Sequence, residues 1–466
     1  MKAVLALSAV CLLSGVAQAS PADLAKMKTS DFLMSTGPTG CQAKGMKADA
    51  KGEYLYVAEM CGARDPITRK FLKDGEGNSI ASVSMYNLRT LKLEKIIQTP
   101  RGALKGIVGN TEVDMTIDDK YVLVARAESD ATAPLFPGGA GMVTAIRSDT
   151  HEVAKYIPVN GSGAKTIMRR PFVQGQGNRQ IVYVANYFSD DISILDVTNL
   201  DSISGMRADQ AFITKVKMKS AFINPAKKGY KIAPRGLAFT PDGKYAIVLA
   251  TETGSIIVMD SVNHVQLAEL PPMPTAIAGR EVNVRHIVTT NDGEVAYLSH
   301  MRGNAISRID VSRLVEMART AGGQVLPVSA WNQLLIPFAN GKKLIDVIKY
   351  PKDHPNFAGQ TYEYADPNTI VLDPVNNRYL YVSNRTRSAK DYNIINPKIK
   401  GKIDVIDTQS GEIIFTLAGG AQPTALEVSP DNRVLISAGF KDDTIYFYDL
   451  QKMLSIYENG SVQVLR

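Results

Sequence analysis

The chain has 466 residues, 45% of them apolar and 21% charged, with 53 Lys and Arg against 46 Asp and Glu for a formal net charge of +7. That length is enough for a sizeable core, and a mild positive balance with no long Lys/Arg run argues against nucleic acid as a partner. Beyond residue 20 nothing approaches the roughly 20 consecutive apolar positions that cross a bilayer, so a helical transmembrane protein is excluded.

The first predicted element is MKAVLALSAVCLLSGVAQAS: Lys2 is a short positive region, Ala3 to Val16 an apolar run, and Ala17-Gln18-Ala19 a small-residue cleavage site. Residues 1–19 therefore read as a secretory signal peptide, with the mature protein beginning near Ser20. Val10 stands before Cys11 where a lipid-modified cysteine needs a small residue, so cleavage after Ala19 is preferred. A periplasmic or cell-surface, secreted location follows. Residues 20–40 read as an N-terminal segment and 41–466 as one domain.

Two cysteines then remain, Cys41 and Cys61, flanking YLYVAE and spaced equally about Lys51 in the turn-like Ala50-Lys51-Gly52-Glu53. In an antiparallel hairpin residues at equal distances from the turn face each other, so this pair is expected to form a structural disulfide. A redox pair would more often be CxxC.

From here a tetrad recurs seven times: YVAE 56–59, LVAR 123–126, YVAN 183–186, IVLA 247–250, YLSH 297–300, YVSN 381–384 and ISAG 436–439. Each copy follows a turn signal (Lys51-Gly52, Asp118-Asp119, Gly177-Asn178, Asp242-Gly243, Asp292-Gly293, Asn376-Asn377, Asp431-Asn432) that tolerates positive φ. Each is followed by an alternating strand, usually ending in Asp, as in ISILD 192–196, IIVMD 256–260 and KIDVID 402–407; Asn87 and Arg147 hold that place in the first two copies. A further strand-like run often comes next, as in GEIIFTLAG 411–419. The unit is a four-stranded antiparallel blade, and seven such units predict an all-β, seven-bladed β-propeller with short helical insertions, because one thin blade cannot bury both faces alone.

AISRIDVSRLVEMARTAGGQVLPV in the fifth unit parallels TIYFYDLQKMLSIYENGSVQVLR in the seventh, which predicts in both an Asp-ended strand, an amphipathic helix, a Gly turn and an outer strand. The longest extra segment, 331–365, holds the only Trp and is either a recognition loop or a flap packed on a blade edge. Ring closure has two candidates: SVQVLR 461–466 completes the last blade itself, or residues near Asp31-Phe32-Leu33-Met34 cross over to supply its outer strand.

The tetrad with its hairpin turn and trailing Asp strand, as in TPDGKYAIVLATETGSIIVMD, resembles the YVTN family of β-propeller repeats over nearly the whole mature chain. The resemblance implies the fold and not an activity, since that family includes surface-layer and periplasmic binding proteins, and similar propellers occur in lactonases, amine dehydrogenase subunits and haem d1 proteins.

Candidate chemistry lies where the strands approach the axis. With Pro234-Arg235-Gly236-Leu237 as template, the innermost strands begin at Lys44, Thr111, Arg170, Arg235, Arg285, Asn368 and Thr424, a ring in which Lys44, Arg170, Arg235 and Arg285 are cationic. Like charges converging in a low-dielectric funnel concentrate anions and are suited to a carboxylate or phosphate. The tetrad ends form a second ring, in which Glu59, Asn186, His300 and Asn384 suggest a divalent-metal site with oxygen and nitrogen ligands. His286 and His300 flank the Asp292-Gly293 turn and are expected to be near-opposite on neighbouring strands, to share a metal or move a proton. CxxCH, GxSxG, HExxH and GxxxxGK[ST] are all missing, so covalent haem is not expected and any other cofactor is unspecified. The leading expectation is an exported binding or scaffold protein that recognises an envelope or surface protein, a glycan or a small anion. The alternative is a periplasmic propeller enzyme or enzyme subunit, in whose lactonase-like form Glu59, Asn186 and Asn384 would hold the metal.

Overall fold

The structure is a computed structural model that describes Leu24 and residues 27–73, 80–99, 109–127, 141–224, 226, 229, 231–274, 283–347, 354–357, 364–386 and 399–459. The expected signal peptide and SVQVLR 461–466 lie outside the described residues. Among the described residues, no helix is long and apolar enough to cross a membrane.

Alternation punctuated by turn-formers produces seven four-stranded antiparallel sheets, the seven blades of a β-propeller. From the inside outward, blade 1 is Cys41–Ala48, Tyr54–Gly62, Ala81–Asn87 and Lys92–Thr99, and blade 2 is Asn110–Met115, Tyr121–Arg126, Met142–Arg147 and Val153–Pro158. Blade 3 is Ala164–Arg169, Ile181–Asn186, Asp191–Asp196 and Phe212–Lys217; blade 4 is Pro234–Phe239, Tyr245–Ala250, Ile256–Asp260 and Val265–Leu270. Blade 5 is Val284–Thr289, Val295–His300, Ala305–Asp310 and Leu344–Asp346; blade 6 is Pro367–Leu372, Tyr379–Asn384, Lys402–Asp407 and Glu412–Ala418. Blade 7 takes Pro423–Val428, Val434–Gly439 and Thr444–Asp449 from the end of the chain, and Leu33–Pro38 from its beginning.

Every tetrad lies on the second strand of its blade, and the turn before each has a residue of positive φ: Gly52, Asp119, Gly177, Gly243, Gly293, Asn377 and Asn432. The Asp ending the third strand also has a defined role. Asp260 and Asp407 accept backbone N–H groups of the following turn, while Asp310 accepts from Arg313 N at 2.8 Å and Asp449 from Lys452 N at 2.9 Å, capping the helices Val311–Ala321 and Leu450–Asn459.

The apolar core is divided into seven clusters, each joining two adjacent blades. Tyr183, Ile194 and Met218 of blade 3 meet Leu237, Val248 and Met259 of blade 4, and Ala43, Val57 and Tyr86 of blade 1 meet Ala425, Ile436 and Phe447 of blade 7. The tetrad is small and apolar because its strand is covered on both faces; Ile181–Asn186 and Val434–Gly439 are buried throughout.

Closure comes from the N-terminal side. Leu33–Pro38 pairs antiparallel with Thr444–Asp449, Asp449 N donates to Phe32 O at 2.8 Å, and Phe32 packs edge-on against Phe415. Leu33–Pro38, within the expected N-terminal segment 20–40, thus forms the outer strand of blade 7. Cys41 and Cys61 form the expected disulfide, with Cα atoms 5.1 Å apart on the first two strands of blade 1.

Blade 5 departs from expectation. Its helix carries the chain across to blade 4, where Val325 makes a parallel bridge with Glu269, so QVLPV is not the outer strand and Leu344–Asp346 takes that place. The described start of the 331–365 insertion is a packed flap: Trp331 is 1% exposed and donates its indole N–H to Pro271 O at 2.9 Å.

Candidate anion site at the axial channel

In all seven blades the pairing of the first two strands slips near the start of the innermost strand. The slips fall between Ala43 and Gly45, Asn110 and Glu112, Ala164 and Thr166, Pro234 and Leu237, Val284 and His286, Pro367 and Ile370, and Pro423 and Ala425. A bulge of this kind re-aims a side chain out of the sheet's alternation. The bulged residues are Lys44, Thr111, Lys165, Arg235, Arg285, Asn368 and Thr424, so repeated backbone geometry sets one ring around the axis.

Six of these are the residues expected from sequence; the seventh is Lys165 and not Arg170. Lys165 lies 21 residues before Asn186, whereas 15 or 16 residues separate the ring residue from the tetrad end in the other blades, because the hairpin of blade 3 is longer. Arg170 sits beyond the far end of that strand, 2% exposed, and ties blade 3 to blade 4 by donating to Ser261 O at 2.7 Å and Gln176 Oε1 at 2.8 Å.

The neutral ring members are wiring. Thr111 donates to Ala164 O of the next blade at 2.8 Å, Asn368 donates to Thr424 O at 2.9 Å, and the Asn368 carbonyl accepts from Arg285 Nε, which fixes that guanidinium. Four cations remain to face the axis. Lys44 is 4%, Arg235 7% and Arg285 8% exposed. Desolvation, then the neighbouring guanidinium groups, lowers Lys44 well below its usual range and Lys165 to about 7; Arg235 falls to about 9 for the same two reasons.

Three further groups were not anticipated. Glu112, one residue past Thr111, is the carboxylate that acts on Lys44, Lys165 and Arg235 alike, with Arg235 Nη2 3.9 Å from its Oε1. Burial raises its own pKa although Arg235, Lys44 and Arg285 oppose this. Arg385, immediately after the YVSN tetrad, adds positive potential, and Tyr187, after YVAN, donates to Glu252 at 2.8 Å. Phe440 has Lys44, Arg385 and Lys441 over its ring, and Phe188 has Lys165 and Lys231. The only sequence signal for these would have been their offset by one or two residues from a ring position or a tetrad.

A cavity of about 370 Å³ follows the channel from Lys44, Glu112 and His286 to a far end where Lys47 pairs with Glu427 at 3.0 Å and Asp114 accepts Arg169 N at 2.7 Å. Among the described residues, one end of the channel thus has its charges matched, and the other holds more basic than acidic side chains.

The candidate metal ligands behave differently. Glu59 accepts from Ser82, Ser84 and Gly40; Asn186 donates to Asp191 and Ser193; His300 Nε2 bonds Ser307 at 2.8 Å; Asn384 donates to Asp404 at 2.9 Å. All four are fully buried. Each makes a hydrogen bond within or beside its own blade, while among the described residues Asn186 Oδ1, His300 Nδ1 and Asn384 Oδ1 have no hydrogen-bond partner. Among the described residues, no group of three or more His, Cys, Asp or Glu side chains is placed to hold a metal ion. His286 is paired with Ser299 and His300 with Val284, so the two imidazoles face opposite sides of the sheet and do not meet. Burial takes His300 down to about 4, and burial with Arg235 and Arg285 takes His286 to about 3, leaving both neutral.

Comparison with known proteins bears chiefly on the fold. No family model matches the chain. A 300-residue stretch, 63% of this chain, is 27% identical to Antigen Lp49 of Leptospira interrogans serogroup Icterohaemorrhagiae serovar copenhageni, and the match spans 49% of that protein. The propeller domain of Myceliophteria thermophila Cps50 (Swd1) superposes with a TM-score of 0.54 at 13% identity, over 89% of this chain and 99% of that one. A chain of the mitotic checkpoint complex gives 0.54 at 9% identity, over 90% and 91%. At such identities the likeness is one of β-propeller architecture alone.

Proposed function

We propose that this chain is an exported propeller of the YVTN type that works as a binding protein, holding the anionic group of a small ligand or of a partner at the ring of Lys44, Lys165, Arg235 and Arg285. The observation that carries this reading is the repeated bulge, which sets one residue of every blade in the ring and thereby gathers four basic residues beside Glu112. Buried like charges are costly without a counter-ion, and a site that retains them is suited to an anion. The Cys41–Cys61 disulfide and a relative named as an antigen support a location outside the reducing cytoplasm.

Calorimetric titration of small carboxylates and phosphates into the mature protein tests the site. Arg235→Ala with Arg285→Ala should weaken the tightest anion by about a hundredfold, the loss of two charge-assisted contacts. Unchanged affinity eliminates this role.

A further inference from the structure

We propose, resting on that anion site, that Lys165 condenses reversibly with the carbonyl group of a small oxo acid whose carboxylate is held by Arg235 and Arg285. What points to this is an amine left without an acceptor. Nearby lysines are tied down: Lys215 donates to Asn160 O at 2.6 Å and Lys231 to Phe188 O at 3.0 Å, while Lys47 at the far end of the channel pairs with Glu427. Among the described residues, Lys165 Nζ makes no hydrogen bond and no ion pair, and lies over the Phe188 ring, 5.8 Å from its centre.

Access and placement are both built in. Lys165 is half-buried, whereas Lys44, the other ring lysine, is 4% exposed; Phe188 beside Lys165 is 39% exposed, so of the two amines this is the one a solute reaches. The turn just before Lys165 fixes that aromatic wall. Phe188 N–H donates to Ser162 O at 3.0 Å and Tyr187 N–H to Gly163 O at 2.9 Å, and Gly163 has positive φ and no side chain to strike the Phe188 ring. Lys165, Arg235 and Arg285 are the bulged residues of three successive blades, so the amine and two guanidinium groups share one arc of the ring. The guanidinium forks suit a carboxylate. Burial and those same neighbours disfavour the ammonium form, and with a pKa of about 7 much of Lys165 is free amine at neutral pH. The step needs no co-reactant. The Nζ lone pair adds to the carbonyl carbon, both amine protons pass to the carbonyl oxygen, and that oxygen leaves as water, giving an imine that water reverses.

Cyanoborohydride, which reduces an imine to a stable secondary amine, tests this on the whole mature protein. Pyruvate, levulinate or acetone is added with the reductant, and the labelled lysines are mapped by mass spectrometry after digestion. Pyruvate or levulinate should label Lys165, adding the mass of the acid less one oxygen atom, about tenfold faster than acetone, which has no carboxylate to be held. Lys165→Arg should still bind acetate by calorimetry and lose the label. If that variant does not fold, excess propionate on wild type decides the same point, since it should protect Lys165 and leave exposed lysines unprotected. Absence of label at Lys165, label spread evenly over the exposed lysines, label at Lys44 instead, or acetone reacting as fast as both acids overturns the imine, while acetate binding by calorimetry leaves the anion site standing. If neither acetate nor phosphate binds, the anion site fails and the imine with it.

Discussion

Lys165 is a ring residue whose protonation should respond to a ligand. It faces Arg235, Arg285 and Arg385, which disfavour its charge, and Glu112, which favours it, while its ammonium lies over the Phe188 ring; burial adds the largest penalty and its pKa falls to about 7. The sign follows from linkage. A lysine with a depressed pKa binds fewer protons when folded than when unfolded between about 7 and its unfolded value of 10.5, so the cost of its charge is present below that window and relieved as pH rises through it. An anion at the ring favours the protonated form and draws a proton in as it binds. Affinity should therefore decline as pH climbs above about 7, and calorimetry at about pH 8 in buffers of different ionisation enthalpy should register close to one proton taken up. Lys165→Met should reduce the uptake, leaving the share that falls to Lys44. Affinity that stays flat from about pH 6 to 9 would contradict the assignment.

At the scale of the element, the strand Leu33–Pro38 supplies the outer edge of blade 7, and Phe32 and Leu24 complete the apolar cluster between blades 6 and 7. Deleting residues 20–38 should remove that edge and expose Ile445, Phe447 and Tyr448, all fully buried, lowering the midpoint of thermal unfolding by more than about 5 °C. An unchanged midpoint would show that the ring closes without it. Elements of this kind were legible to different degrees. Tetrads, hairpin turns, third-strand Asp residues and the two helices could be read because each is set by a local rule: alternation, positive φ or a capping carboxylate. Which chain end closes the ring is a tertiary choice between two apolar stretches, and local pattern leaves it open. The outer strand of blade 5 was misplaced because QVLPV has strand character and the helix before it delivers it to the neighbouring blade. Lys165 was missed for a third reason, hairpin length, which shifts a count without changing the pattern. The metal ligands were inferred from position at strand ends, where sequence does not show whether Glu59 or Asn384 points to the axis or to the serines and aspartate of its own blade.

The whole molecule couples the ring to stability. Its apolar clusters lie between blades and not within them, so each blade depends on two neighbours and the propeller should unfold as one cooperative body. Four of the seven blades contribute a basic residue to the same waist, buried in the case of Lys44, Arg235 and Arg285 and half-buried in that of Lys165, and each pushes against the others across interfaces that must stay packed. Removing one of those charges should relieve the protein, while filling the site should stabilise it more. Arg235→Met is therefore expected to raise the thermal midpoint of the ligand-free protein. The tightest-binding carboxylate or phosphate should at a hundred times its dissociation constant stabilise wild type by about 2.7 kcal/mol, a rise of about 3 °C for a chain of this size. At the same anion concentration that gain should fall to about 1.4 kcal/mol in Arg235→Met, whose affinity is expected to be about tenfold weaker. Differential scanning calorimetry with and without the anion measures both effects. A variant less stable than wild type, or a wild-type midpoint indifferent to the anion that calorimetry shows bound, would mean that the ring's charges are already compensated inside the fold.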